Sequence, residues 1–399
     1  MKKNYVIVGS GVAAVHGAKE IRDFDKDANI LIFGEESLLP YNRMKLSKEL
    51  YSDLYAVKNL IKKDKFYEKN ELTYYQDAKV IGIDVVNKEI TTSTQETVKY
   101  EKLLLSMGAV NRVLPIDGID KEGVFTIRHI KTTDIFKEYV EDKEHIVLIG
   151  GGVQNLEIAW SLLQQGKKVT ILEAAPMLMG RQLDKESSQI VKEKLEENGA
   201  TIHIGATVHE IVGNTSVEGV RINNNEVISC DAVVYSVGIV PNIDLVKDTG
   251  IEVNRGIIVN DRMETSVEDI YAAGDVVEYD GKVAGLWGSA LEQGKVAGNN
   301  MASSEIVIYR EPVPVTILQA CGLALFSLGC VDESICETIT EQDDQGRYVR
   351  LFIKDNKIVG TISFEGVAAM LPYKTAIEKA AELDFSNKTI SEIIEEAKQ

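Results

Sequence analysis

The chain has 399 residues, enough at about 150 residues per domain for two or three separate cores, which excludes a peptide or a single small module. Hydrophobic residues make up 44% and charged residues 27%, with 7 Pro and 31 Gly, a globular composition that excludes disorder and collagen-like repeats. The 62 Asp and Glu outnumber the 44 Lys and Arg, and a net charge of −18 opposes bulk-charge binding to phosphate backbones or anionic lipid, so neither nucleic acid nor membrane is an expected partner.

Lys2 and Lys3 precede the apolar run Tyr5 to Val15 and imitate the start of a signal peptide. Gly9 and Gly11 interrupt that run, and His16, Lys19 and Glu20 follow it, so it reads as a buried strand entering a helix. The predicted order is strand Asn4 to Val8, helix Val12 to Phe24, strand Asn29 to Phe33. The same order returns at Glu144 to Ile149, Val153 to Gln165 and Lys168 to Leu172. Two β-α-β units imply parallel sheets with crossover helices, hence an α/β fold with two Rossmann-like dinucleotide-binding domains. No other segment approaches bilayer length, and the protein is expected to be cytoplasmic.

After about residue 311 the pattern becomes α+β: strands Tyr348 to Ile353 and Lys357 to Ser363 around Asp355-Asn356, and a helix over Ile377 to Leu383. The tail Asn387 to Lys398 places Ile390, Ile393, Ile394 and Ala397 on one helical face, with Ser386 or Asn387 as cap. Cys230, Cys321, Cys330 and Cys336 form no C-x-x-C pair and read as reduced, mostly buried thiols. His16, His129, His145, His203 and His209 have no ligand spacing, and no metal site is expected.

The first chemical motif is Gly9-Ser10-Gly11-Val12-Ala13-Ala14, between a strand and a helix. Gly9 suits a tight turn, Gly11 an approaching pyrophosphate and Ala14 close helix packing, while Glu35 beyond the second strand is placed to accept hydrogen bonds from a ribose. An ordinary Gly-rich turn is the competing reading, but strand, helix and acidic residue all occur in the order a dinucleotide site needs. The second motif is Gly150-Gly151-Gly152-Val153-Gln154-Asn155, with Glu173 ending the next strand, where a carboxylate favours the free 2′-hydroxyl of NADH over the phosphate of NADPH. Asn155 occupies the third glycine position, leaving two readings open: a shifted working NADH site, or a degenerate one.

With these motifs the chain resembles the flavoprotein reductases related to the pyridine nucleotide-disulfide oxidoreductases. Tyr100 to Gly108 is similar to the family's Y-D-x-L-L-L-A-T-G, Val237 to Asn242 to the point where the chain returns, and Thr265 to Asp275 to the segment whose aspartate binds the ribityl chain of FAD. The resemblance implies an FAD domain over 1–112 and 239–310, an inserted NAD domain over 113–238 and a C-terminal α+β interface domain over 311–399. It implies FAD contacts from Arg43, Val80, Ser106, Gly108, Asp275 and Trp287 besides the first fingerprint, although Trp287 reads equally as a core residue. It adds Gly238 to the cofactor-binding residues.

Disulfide reductases need a redox cysteine soon after the second strand, and the first cysteine here is Cys230. Pro40 to Lys48 is instead similar to the P-Y-x-R-x-x-L-S-K segment of rubredoxin reductases, oxygenase ferredoxin reductases and the flavin part of nitrite reductase. That likeness implies that Lys48 lies near flavin N5 and pairs with Glu157, the expected catalytic pair; a surface lysine and a helix glutamate that never meet is the other reading. Residues 43 to 69 carry eight Lys or Arg against four Asp or Glu, a patch for an acidic carrier or simply a solvated face. The implied function is an NADH-dependent FAD oxidoreductase feeding a small electron carrier, rubredoxin first. The alternatives are an NADH oxidase using oxygen directly and a flavin-binding protein without NADH turnover; the oligomeric state stays open.

Overall fold

The computed structural model describes residues 2–223, 225–343 and 347–398. The chain divides into two compact units, the first formed by Met1–Arg43, Tyr55–Asn111 and Gly238–Pro312, the second by Met44–Leu54, Arg112–Val237 and Val313–Gln399.

The first unit is built on a parallel five-stranded sheet ordered Ile270–Ala272, Lys102–Leu105, Asn4–Val8, Asn29–Phe33, Leu72–Tyr75. In its central strand Tyr5, Val6, Ile7 and Val8 follow Asn4 as an unbroken buried apolar run, because both faces are covered. The helices Val12–Phe24 and Trp287–Ala302 pack against each other through glycines: a Cβ on Gly294 would lie 2.3 Å from the Ala13 carbonyl oxygen, and one on Gly298 would lie 2.4 Å from that of Gly17. Backbones approach this closely only where the side chain is a hydrogen atom.

The second unit repeats the parallel arrangement in the order Thr201–Ile204, Lys168–Glu173, His145–Ile149, Ala232–Tyr235, Val124–Phe125. It adds an antiparallel sheet ordered Val315–Ala320, Leu323–Gly329, Lys357–Ser363, Tyr348–Lys354, Glu337–Gln342. Asp355 and Asn356 both take positive φ in the turn between Tyr348–Lys354 and Lys357–Ser363. Arg350 of this sheet, 2.8 Å from the fully buried Asp184, ties it to the helix Lys185–Glu197, which Asp184 also caps through the Ser187 amide.

Two expectations need correction. The helix expected over Ile377 to Leu383 runs instead from Met370 to Lys379, since Pro372 falls in the first turn, where no intrahelical amide bond is needed, and Ala380 ends the helix in the left-handed region at φ 49°. The tail helix Ile390–Ala397 is capped by Thr389 through reciprocal bonds with Glu392, and not by Ser386 or Asn387, whose φ of 56° turns the chain before the helix begins. Its face of Ile390, Ile393, Ile394 and Ala397 docks on a cluster including Phe326, Leu328 and Leu351. The basic run 43–69 is divided between the two units, with Arg43 and the lysines from Lys58 onward in the first and Lys45 and Lys48 in the second, and Arg43, Lys45 and Lys48 are engaged by Glu36, Glu49 and Glu157.

Candidate active site

In the first unit the strand Asn4–Val8 ends in Gly9, whose φ of +113° turns the chain so tightly that a Cβ there would lie 2.2 Å from the Ser106 carbonyl oxygen. Ser106 closes the other side, its hydroxyl donating to the Val8 carbonyl at 2.9 Å. Gly11 precedes the helix, and among the described residues no side chain caps that helix start; a Cβ on Gly11 would meet nothing within 4 Å. The helix thus starts at a glycine with open space at its Cβ position, with Ala13 and Ala14 buried in the turn that follows. This cradle fits a pyrophosphate, because free helix-terminal amides favour an anion.

The other first-unit candidates are distributed as follows. Glu35 is largely exposed and 2.9 Å from Lys79, while its neighbour Glu36 accepts the Tyr41 hydroxyl at 2.7 Å and pairs with Arg43 at 2.5 Å. Glu36 was missed at the sequence level because its partners lie in the irregular segment after the strand. Gly108 is in an open left-handed position, Asp275 follows Gly274 whose amide donates to Gln293, Val80 is buried at the start of its strand, and Trp287 opens its helix partly buried against the core. Gly238, at φ +110°, begins the return into this unit.

The second fingerprint has the same geometry. Gly150 turns at φ +104° with the Ser236 carbonyl 2.4 Å from where a Cβ would be, and Gly152 starts the helix Val153–Gln164 with open space at its Cβ position and no side-chain cap among the described residues. Glu173, the last residue of its strand, accepts hydrogen bonds from the Gly151 and Ala175 amides, which hold the carboxylate beside the Gly151-Gly152 turn. Asn155 is fully buried, and its amide folds back on the strand end, donating to the carbonyls of Ile149 at 2.8 Å and Gly150 at 2.9 Å. A side chain used in this way braces the turn from behind and leaves the cradle in front of Gly152 open. Gln154, part of the second motif but given no role there, adds a second brace between the Ile127 carbonyl and the Ser236 hydroxyl.

Lys48 and Glu157 do meet. Lys48 closes the short helix Lys45–Lys48, and its Nζ lies 3.3 Å from Oε1 of Glu157 while donating to the Ile317 carbonyl at 3.0 Å. Ser47 donates its hydroxyl to Oε2 of Glu157 at 2.6 Å. The Glu157 side chain is 3% exposed, and this burial raises its pKa above the ordinary carboxylate value against the opposing influence of Lys48 and Ser47. Ser47 went unrecognised because a serine beside a lysine carries no signal until the fold brings the glutamate to it. Among the described residues no group of His, Cys, Asp or Glu could hold a metal ion, and no helix is long and apolar enough to cross a membrane.

Residues 3–294 match the family described as pyridine nucleotide-disulphide oxidoreductase, and residues 314–381 match the rubredoxin NAD+ reductase C-terminal domain. The chain is 37% identical to the nitrite reductase [NAD(P)H] of Bacillus subtilis (strain 168) over 97% of its own length and 48% of that protein. It is 31% identical to the NADH-rubredoxin oxidoreductase of Clostridium acetobutylicum, covering 95% of each. The chain thus spans about half the length of the first two curated relatives it matches, at 48% and 51%, and nearly all of the third. Among solved structures, the NADH:rubredoxin oxidoreductase of Clostridium acetobutylicum aligns with TM-score 0.77 at 28% identity over 99% of this chain and 100% of that one. The ferredoxin reductase for the CYP199A2 system from Rhodopseudomonas palustris shares the fold at TM-score 0.89, with 23% identity and complete coverage of both chains. With two dinucleotide cradles and a matched C-terminal domain in one chain, this protein belongs to the pyridine nucleotide-disulphide oxidoreductase family, whose cofactors are FAD and NADH.

Proposed function

We propose that this chain takes hydride from NADH and delivers electrons singly to a small electron-carrier protein, with rubredoxin as the leading acceptor. The observation that carries the reading is the Lys48–Glu157 pair, braced by Ser47, in a chain whose first cysteine is Cys230. The short helix after the second strand offers a lysine and no thiol, so a disulfide relay has no place there. The match of residues 314–381 and the Clostridium acetobutylicum relative of nearly equal length support rubredoxin over other carriers.

In this reading Gly9, Ser10, Gly11 and the helix behind them hold the FAD pyrophosphate, with Ala13 and Ala14 keeping that helix close. Gly150, Gly152 and Glu173 hold NADH, the carboxylate sharing its free lone pairs with a ribose hydroxyl. FAD, when bound, accepts two electrons as hydride and gives them up one at a time, which is the conversion that one-electron acceptors require. Lys48 contributes the positive charge that offsets the negative charge arriving with the hydride, and Glu157, fixed by Ser47, keeps the lysine in place.

The test is anaerobic mixing of the FAD-loaded protein with NADH, followed by addition of acceptors. Bleaching of the flavin band and its recovery on adding rubredoxin are expected. Turnover confined to disulfides, or bound FAD that NADH leaves unbleached, would sink the proposal. A second reading, favoured by the 37% identity to a protein twice as long, is electron delivery to a nitrite-reducing partner. Rubredoxin turnover no faster than oxygen consumption would shift the balance toward that reading or toward a direct oxidase, the activity named for a 30% identical relative in Methanocaldococcus jannaschii.

A further inference from the structure

In the second unit the antiparallel sheet reaches the second cradle through one irregular segment. Between Glu173 and the helix Lys185–Glu197 the chain turns at Met179, whose carbonyl accepts the Gln182 and Leu183 amides at 2.8 and 3.0 Å. One end of this turn lies on the fingerprint: the Met179 amide donates to the Gly151 carbonyl at 2.9 Å. Leu178, fully buried, sits so close that a Cβ on Gly151 would lie 2.6 Å from its Cδ2. Since the Gly151 amide donates to Glu173, both backbone polar groups of Gly151 are fixed from this side.

The other end of the turn is held by the sheet. Ser327, on the strand Leu323–Gly329, donates its hydroxyl to the Gln182 carbonyl at 2.6 Å. Arg350, on Tyr348–Lys354, donates to the Asp184 carboxylate at 2.8 Å, and its guanidinium also lies 2.9 Å from Glu333 and 3.4 Å from Glu186. The Asp184 side chain has no solvent exposure and that of Arg350 only 14%, so water screens this pair poorly. Lys357–Ser363 separates the two strands in the sheet, which therefore grips the turn at two distinct points. Between the fingerprint and these grips Met179 is kept at φ +49°, a conformation that a residue with a side chain retains only where its surroundings impose it. The same sheet accepts Lys48 Nζ at the Ile317 carbonyl.

We propose that Arg350 and Ser327 are positioning residues for the nucleotide: from the antiparallel sheet they set the turn at Met179 to Asp184, and through Met179 and Leu178 that turn sets Gly151 in the second cradle. The inference rests on the reading that this cradle holds NADH. It gives the sheet a role in the reductase beyond packing, because one element then fixes both the cradle turn and the ammonium of Lys48.

The test uses the FAD-loaded full chain and takes the NADH Kd from the concentration dependence of anaerobic flavin bleaching. Arg350→Met alone would strand the buried Asp184 carboxylate, so it is combined with Asp184→Asn, which removes that charge and still caps the helix. In this double variant the Kd should rise about three- to thirtyfold, the span of couplings carried through such contacts, with the limiting bleaching rate and the FAD content unchanged. Arg350→Lys, which keeps a cation for Asp184, should recover most of the affinity, and Ser327→Ala should weaken NADH in the same direction as the double variant. Without nucleotide, amide exchange should quicken across residues 178–184 in the double variant and not in the helix Val153–Gln164. A lower melting temperature with wild-type Kd in both the double variant and Ser327→Ala would show packing alone and overturn the inference, as would unchanged exchange across 178–184. A wild type that binds no NADH would overturn the function proposed above and this inference with it, whereas normal wild-type binding with equal affinity in the variants would overturn this inference alone.

Discussion

Lys48 Nζ lies 3.3 Å from Oε1 of Glu157, whose side chain is 3% exposed, and the same ammonium donates to the Ile317 carbonyl. The cation is therefore held from two sides, by a buried carboxylate on the helix Val153–Gln164 and by the strand Val315–Ala320. Replacing Lys48 with Met keeps an unbranched side chain one atom shorter and removes the charge. FAD should stay bound, because the proposed pyrophosphate cradle is built from Gly9, Ser10 and Gly11, while reduction by NADH should slow by at least about tenfold, the rate equivalent of 1.4 kcal/mol. The uncompensated Glu157 should also lower stability by about 1–3 kcal/mol. Stopped-flow bleaching and a thermal melt check both outcomes, and an unchanged bleaching rate would remove Lys48 from the chemistry.

Glu157 itself supplies a pH signature. Burial is the strongest influence on it and raises its pKa above 4.5, with Lys48 and Ser47 working against that rise. A carboxyl whose folded value exceeds its unfolded value favours folding when protonated. Its contribution is fully present below about pH 4.5 and is lost as the pH climbs through the raised folded value. Glu157→Gln cannot titrate there. The melting temperature of the wild type relative to Glu157→Gln should therefore decline from pH 4.5 upward and then level off. A difference that stays constant across that interval would mean that the folded carboxyl titrates at its ordinary value.

The strand and helix bounds were legible wherever a continuous apolar run met a glycine turn, because burial on both faces and the demand for positive φ at Gly9 and Gly150 leave local marks. Asn4–Val8, Val12–Phe24 and Asn29–Phe33 run as expected from residue order alone. What stayed hidden depends on pairs that are distant in sequence. Nothing around Ser47 announces that its hydroxyl will meet Glu157, and nothing around Gly294 announces the backbone of Ala13. Asn155 looked like an intrusion because sequence specifies its size but not its direction, and the direction is toward Ile149 and Gly150. The tail helix was legible by its face but not by its cap, since Ser386, Asn387 and Thr389 are all chemically suitable and only the backbone angles choose among them.

The glycine contact between Val12–Phe24 and Trp287–Ala302 predicts a sharp position dependence along one helix. In Gly294→Ala the added methyl would lie 2.3 Å from the Ala13 carbonyl oxygen and 2.8 Å from its Cα, so the helix that starts the first cradle has to shift. Overpacking of this kind costs about 1–3 kcal/mol or more. The variant should melt lower and purify with less FAD. Gly288→Ala, whose methyl would meet only Pro312 at 3.9 Å, should behave as wild type in both respects. Equal flavin content in Gly294→Ala and the wild type would show that the cradle does not depend on this packing.

Glu173 accepts from the Gly151 and Ala175 amides, which orient its carboxylate beside the second cradle. Glu173→Ala removes both the orientation and the acceptor that the proposed function assigns to a ribose hydroxyl. The KM for NADH should rise by about tenfold, corresponding to the loss of one charge-assisted hydrogen bond, and the preference over NADPH should shrink. Steady-state kinetics with both nucleotides provide the measurement, and an unaltered preference would place the ribose elsewhere.

Asn155 offers the last and most direct choice between a working and a degenerate second cradle. Its amide nitrogen bonds two carbonyls at the strand end, and the side chain is fully buried. Asn155→Gly would bring the fingerprint to three glycines at the usual positions and would leave the Ile149 and Gly150 carbonyls without these donors. Stability should fall by about 1–3 kcal/mol for buried acceptors left short, with up to about 1 kcal/mol more for glycine inside the helix Val153–Gln164. Because the asparagine points away from the open space at Gly152, NADH affinity should not improve, staying within about twofold, less than 0.5 kcal/mol, of the wild type. Isothermal binding of NADH alongside a melt separates the cases. A tenfold gain in affinity without loss of stability would mean that Asn155 crowds the nucleotide, and the cradle would then be read as degenerate.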